Sequence, residues 1–170
     1  MTTSKPRPVF LYGTLRAKSL LAWALTGDAS DVSLASQLIQ PAKVYGHARF
    51  ALKYRDYPAA VKHAPSSSID GYLFIPETTS QRKKLDDFEG EAYKPAPVDV
   101  IVFDSNGSPR EETVGADMYL WAGDEELLTA EPWVLEVFER ERLEDWLGLF
   151  EGMELVGEDE DDDAVIRRRD

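Results

Sequence analysis

The sequence predicts an α+β fold, mixed and barrel-like, with about five or six strands and a few helices around them. Three observations predict it. Short apolar runs, VFLY at residues 9–12 and IDGYLFI at 69–75, are too short for typical helices and stop at glycine or proline. Residues 78–90 carry the start and stop signals of a helix. Two further apolar runs, 97–103 and 114–121, flank the turn residues Ser105, Asn106 and Gly107 and read as hairpin partners. Strands separated by this many breaks also fit an open sheet.

In chain order, VFLY is a buried strand, and Gly13 supplies the freedom for a sharp exit. Residues 17–26 are rich in alanine and leucine, with Gly27 at a natural C-terminal stop, so a short helix follows. Residues 28–41 read as a loop or a second helical turn. Residues 44–52 read as one strand, followed by a loop through Tyr57 and Pro58. The serines at 66–68 break the chain before the strand that ends at Pro76. Thr78, with Gln81 three residues on, has the spacing of a capping box. Leu85 and Phe88 share a helical face, and Gly90 is the stop, so Glu89 closes a short helix.

In the next run, Val98, Val100 and Val102 alternate against Asp99, Ile101 and Phe103, a strand with both faces partly buried. Residues 123–129 are a break. Pro132 suits the first turn of a longer helix to about Phe150, with Val134, Val137, Phe138, Trp146, Leu147 and Phe150 as an imperfect apolar stripe. The acidic run before the terminal arginines repels itself, so residues 157–170 are expected to be a mobile tail. Residues 1–8 are expected to be a flexible N-terminus, which leaves 9–156 as one domain.

The 170 residues, 43% hydrophobic, suffice for one real core. There is no cysteine, which excludes disulfides, thiolate nucleophiles and Cys-ligated metals. A net charge of -13 and a pI near 4.6 oppose a nucleic-acid or anionic-membrane partner. Neither a signal-peptide core of about 7–15 apolar residues nor a run of roughly 18 apolar residues is present, so the chain reads as soluble, unexported and cytoplasmic. His47 and His63 lack a ligand pattern, and no phosphate-binding glycine motif, nucleophile elbow or cofactor signature occurs. No metal or cofactor is therefore expected.

Four pieces, YGTL at 12–15, YPAAV at 57–61, DGYLF at 70–74 and LDDFEGEAY at 85–93, resemble in order and spacing the γ-glutamylcyclotransferase-like family. The resemblance is to its AIG2-like branch, with a C-terminal extension of the kind seen in fungal members, and runs from about Val9 to Trp121. It implies a small mixed β-barrel with peripheral helices and a pocket at one side. It also implies an acyltransferase chemistry in which a γ-glutamyl group cyclises to 5-oxoproline and releases an amine, amino acid or peptide fragment. On that likeness Glu89 is catalytic. Gly13, Thr14 and Leu15 offer backbone N–H groups to the substrate's α-carboxylate, Tyr12 forms pocket wall, and Tyr93 is the pocket aromatic. Where the family often carries an arginine, this chain has Pro95, with Lys94 beside it.

The residue types suit that chemistry. The substrate's α-amine attacks its own γ-carbonyl, so a protein need only fold the arm and move protons. An ammonium has no lone pair, so a base must first deprotonate it. Glu89, flanked by Phe88 and near Leu85 at a helix C-terminus, is placed for a raised pKa. Asp86 and Asp87 read as turned away from part of the face that Glu89 uses. A donor to the oxyanion is to be found among a backbone amide, Tyr93 and Tyr57. Two other readings share the pocket: a catalytically silent binding or regulatory domain, and an amidohydrolase that releases glutamate. The leaving group and the oligomeric state are not encoded in any motif.

Overall fold

Val9–Leu11 forms β1, and its alternation sets out the core. Val9 and Leu11 join an apolar cluster with the helices, while Phe10 and the following Tyr12 join a second cluster inside the sheet, as the two-residue period of a strand requires. The computed structural model describes residues 6–150. The expected acidic tail, and the N-terminal residues before Pro6, lie outside the described residues.

After β1 a 3-10 turn, Thr14–Arg16, leads into α1, Lys18–Thr26, which stops at Gly27 in the left-handed region (φ 82). The segment left open between loop and helix contains α2, Val32–Gln37, and the start of β2, Ile39–Tyr45. The single strand expected over 44–52 is corrected to two. Gly46, at φ 81, turns the chain, so that β3, His47–Leu52, enters a different sheet. Pro58, expected in a loop, instead opens β4, Pro58–Lys62. Then follow β5, Ser68–Phe74, and α3, Thr79–Glu89. The predicted hairpin is present as β6, Tyr93–Val102, antiparallel to β7, Val114–Trp121. The break expected at 123–129 instead ends in β8, Leu128–Pro132.

Strands β1, β5, β2, β6 and β7 close a barrel in that order, with β1 antiparallel to β5 and parallel to β7. Strands β4, β3 and β8 form a separate three-stranded sheet. The fold is thus α+β with a small mixed barrel and peripheral helices. The described residues form eight strands, more than the five or six expected, because β3, β4 and β8 make the second sheet. No helix among the described residues is long and apolar enough to cross a membrane.

The long helix expected from Pro132 to about Phe150 is corrected as well. Pro132 closes β8, and the apolar stripe is divided between α4, Leu135–Glu141, and α5, Leu143–Phe150. Asp56 ties this pair to the loop before β4. Its carbonyl accepts from Trp133 Nε1 at 2.8 Å, and its Oδ2 accepts from Trp146 Nε1 at 2.8 Å and Arg142 Nε at 3.0 Å. Asp56→Ala removes the acceptor of a half-buried indole and of a guanidinium, and is expected to cost about 1–3 kcal/mol. Urea unfolding and near-ultraviolet dichroism test this. An unchanged midpoint together with an unchanged tryptophan signal would remove Asp56 as the tie.

Candidate active site

The helix that carries Glu89 starts where the sequence says it should. Thr78 Oγ1 accepts from the Gln81 N–H at 3.1 Å, and Gln81 Oε1 reaches back to accept from the Glu77 N–H at 2.7 Å. This closes the first turn of α3 as a capping box does, with the return bond one residue further back. Leu85 is fully buried against α1 and the barrel, and this fixes the rotation of the helix. At the other end Gly90, at φ 78, bends the chain away from the helix axis. Glu89, the last helical residue, and Tyr93, the first of β6, therefore stand on either side of one bend.

The two lie in the wall of one cavity, about 310 Å³ of atom-free space including its open mouth. Tyr12, Gly13, Thr14, Leu15 and Tyr57 line the same cavity, so all seven residues singled out from the sequence converge there. Thr14 and Leu15 are buried, and the 3-10 turn begins with the bond from Arg16 N–H to the Gly13 carbonyl at 3.1 Å. The N–H groups of Thr14 and Leu15, in the first turn, consequently fall outside the helix's own bonds, which is what an anion site at a turn requires. Behind the turn, Arg49 Nη1 donates to the Tyr12 carbonyl at 3.0 Å and Nη2 to Asp70 Oδ1 at 2.9 Å. Arg16 stands beside them, and burial together with the Arg49 charge pushes its guanidinium down to about 10. Tyr57 meets both Tyr93 and Trp146 edge-on, with centroids 6.2 Å apart in each pair, so α5 supports the cavity wall through this ring.

Glu89 is partly exposed, and no hydrogen bond or ion pair to it is found among the described residues. Burial of the carboxyl raises its pKa from 4.5 to about 8, and the negative charge of Asp86 adds to the rise. This corrects the reading of Asp86. Residues three apart on a helix share a face, and Asp86 Oδ1 accepts from the hydroxyl of Tyr119, another cavity-lining residue, at 2.5 Å. Asp87 does lie elsewhere, paired with Lys83 at 3.2 Å. Lys94 and Pro95 are exposed on β6 and do not line the cavity.

The sequence reading missed Tyr119, Pro58, Phe10 and Leu11, which complete the lining. Tyr119 sits 33 residues from Asp86, and only the pairing of β7 with β6 and β1 brings it there. Three phenols of the lining, Tyr12, Tyr93 and Tyr119, are raised in pKa, chiefly by burial, and each also feels the Glu89 charge. They are neutral at any ordinary pH. Among the described residues no group of three or more His, Asp and Glu side chains lies together as a metal site would require.

A family model described as gamma-glutamyl cyclotransferase, AIG2-like, matches residues 9–135. Two curated relatives from Arabidopsis thaliana are similar. Protein AIG2 B is 26% identical over 132 residues, covering 78% of this chain and 70% of its own length. Protein AIG2 A is 25% identical over 150 residues, covering 86% and 80%. A solution structure of an Arabidopsis thaliana protein superposes with a TM-score of 0.57 at 22% identity, over 88% of this chain and 84% of the other, a likeness of fold.

Proposed function

Because the chain belongs to the gamma-glutamyl cyclotransferase, AIG2-like family, we propose that it is an acyltransferase of that type. It cyclises a γ-glutamyl group to 5-oxoproline and releases the attached amine, amino acid or peptide fragment. The observation that carries the reading is Glu89: a carboxyl with a pKa of about 8 and no hydrogen-bond or ion-pair partner among the described residues, in one cavity with the turn at Gly13–Leu15. A carboxylate tied into an ion pair would be a poor base. One pushed up by burial is matched to an amine near neutral pH.

In this reading the N–H groups of Thr14 and Leu15 hold the substrate's α-carboxylate, Tyr12, Tyr57 and Tyr93 wall the γ-glutamyl arm, and Glu89 deprotonates the α-ammonium. The freed amine attacks the γ-carbonyl carbon, and the five-membered ring closes as the bond to the departing nitrogen breaks. Of the ammonium's three protons, one stays on the lactam nitrogen. The other two pass to the departing nitrogen, Glu89 carrying them, so the leaving group departs as an ammonium and the proton count balances. No cofactor enters any step.

Incubation with a panel of γ-glutamyl amines, amino acids and peptides, followed by mass spectrometry, is expected to yield 5-oxoproline and to identify the leaving group. Free glutamate in its place would assign the cavity to an amidohydrolase. A panel left intact by folded protein would sink the cyclotransferase reading in favour of a binding domain.

A further inference from the structure

Three of the cavity's four tyrosines have a common polarity. Tyr12 donates its hydroxyl proton to the Tyr119 carbonyl at 2.5 Å, Tyr93 to the Pro58 carbonyl at 2.6 Å, and Tyr119 to Asp86 Oδ1 at 2.5 Å. A backbone carbonyl can only accept, so the first two directions follow from the partner. Asp86 Oδ1 also accepts from Arg82 Nε at 2.9 Å, and Arg82 in turn pairs with Asp117 at 2.9 Å. A carboxylate that holds a guanidinium is ionised and offers no proton, so the third direction follows as well. A phenol whose single proton is engaged has only lone pairs left for a ligand.

Around Glu89 the lining therefore presents acceptors: the phenol oxygens of Tyr93 and Tyr119, and the Glu89 carboxylate once it has ionised, whereas the Tyr12 oxygen already accepts from the Ala60 N–H. The matching ligand group has donors and no lone pair, as an ammonium does. Donors lie at the turn instead, in the N–H groups of Thr14 and Leu15. We propose that Tyr119, oriented by Asp86, is the acceptor that holds the substrate's α-ammonium, and that none of these three tyrosines supplies the proton to the oxyanion. This inference rests on the γ-glutamyl reading of the cavity. In it Tyr119 touches substrate, and Asp86 is a positioning residue that acts through the Tyr119 hydroxyl. It also narrows the oxyanion donor, left open by the sequence between a backbone amide, Tyr93 and Tyr57, by removing Tyr93.

Asp86→Asn is the informative change. Asparagine keeps the shape and an oxygen for Arg82, but it can turn its amide N–H toward Tyr119. The phenol proton is then free to point into the cavity, and an acceptor becomes a donor. Tyr119→Phe removes the oxygen outright.

The experiment is an NMR titration of the full chain with two probes that differ only in the amine, L-glutamine and glutaramic acid. The parent is expected to prefer L-glutamine. Loss of one charge-assisted hydrogen bond, worth about 1.5–3 kcal/mol, corresponds to a fall in that preference of about tenfold or more in each variant. Affinity for glutaramic acid stays as it was, whereas a merely structural role would weaken both probes alike. If Tyr119→Phe does not fold, Asp86→Asn carries the test. A preference unchanged in folded variants, or a parent that binds both probes equally, overturns the ammonium assignment alone. A parent that binds neither probe overturns the γ-glutamyl reading, and this inference with it.

Discussion

Replacing Glu89 by glutamine is expected to lower 5-oxoproline release by about 10²–10⁴-fold, the range of a positioned general base, while making the folded protein more stable in alkaline solution. Both effects follow from one shift. The Glu89 carboxyl has a pKa of about 8 in the folded chain against 4.5 without the fold, first because it is buried and second because Asp86 is near. The unfolded chain releases this proton at the lower value and the folded chain keeps it to the higher one. Between them the folded state binds more protons, so stability falls as pH rises through that window and is fully retained only below it. Allowing for the partial exposure of Glu89, the loss is of order 3 kcal/mol. Glutamine does not ionise and avoids it.

Thermal unfolding of the two proteins should therefore coincide near pH 4, and the variant should melt higher by several degrees near pH 9. In the parent, kcat/KM, which reports the free protein, should rise with pH to about 8. The kcat profile should sit lower, because a bound ammonium favours the carboxylate. Equal turnover in both proteins would remove Glu89 from the chemistry. Identical melting at alkaline pH would remove the burial argument.

The place of Glu89 at a helix end was legible because its signals are local, while its role came only from the family resemblance. The cap at Thr78, the buried Leu85 and the stop at Gly90 are consecutive grammar, and they place one carboxylate at a bend. The same holds for the turn at Tyr12–Leu15 and the hairpin of β6 and β7. Strands β4 and β8 were not legible for a physical reason. They are the edges of the three-stranded sheet, each with a proline at one end, Pro58 and Pro132, where a missing N–H is tolerated and a sequence reading sees a breaker. Gly46 hid a change of sheet inside an apolar run, and Arg142 divides a stripe that reads as one helix. Within the site, the proton directions of Tyr12 and Tyr93 depend on backbone carbonyls, which no motif encodes.

Gly71→Ala is expected to be strongly destabilising although it adds a single methyl. Gly71 lies in β5 opposite Ala42 of β2, beside the residue that pairs with Leu11 of β1. A Cβ there would fall inside the van der Waals shell of the Leu11 carbonyl oxygen, and 3.1 Å from both the Leu11 carbonyl carbon and Phe10 Cζ. A side chain can rotate away from such a contact; a backbone carbonyl cannot. β1 is held by β5 on one side and β7 on the other, so relief means opening the barrel where it closes. The cost is expected to exceed about 4 kcal/mol, the tail of single-substitution effects.

Gly148→Ala is the control. It lies in α5 with nothing near its added methyl, and alanine there should stabilise by about 0.5–1 kcal/mol. Urea midpoints of the two variants decide the matter: a Gly71→Ala protein as stable as the parent would mean that β1 does not run where the barrel requires it. The consequence reaches the cavity, since β1 leads directly into the turn whose Thr14 and Leu15 line the same cavity as Glu89. On the proposed function, any soluble Gly71→Ala protein should therefore have lost turnover as well, because a displacement of about 1 Å between Glu89 and the turn is enough to cost about 10²-fold in rate.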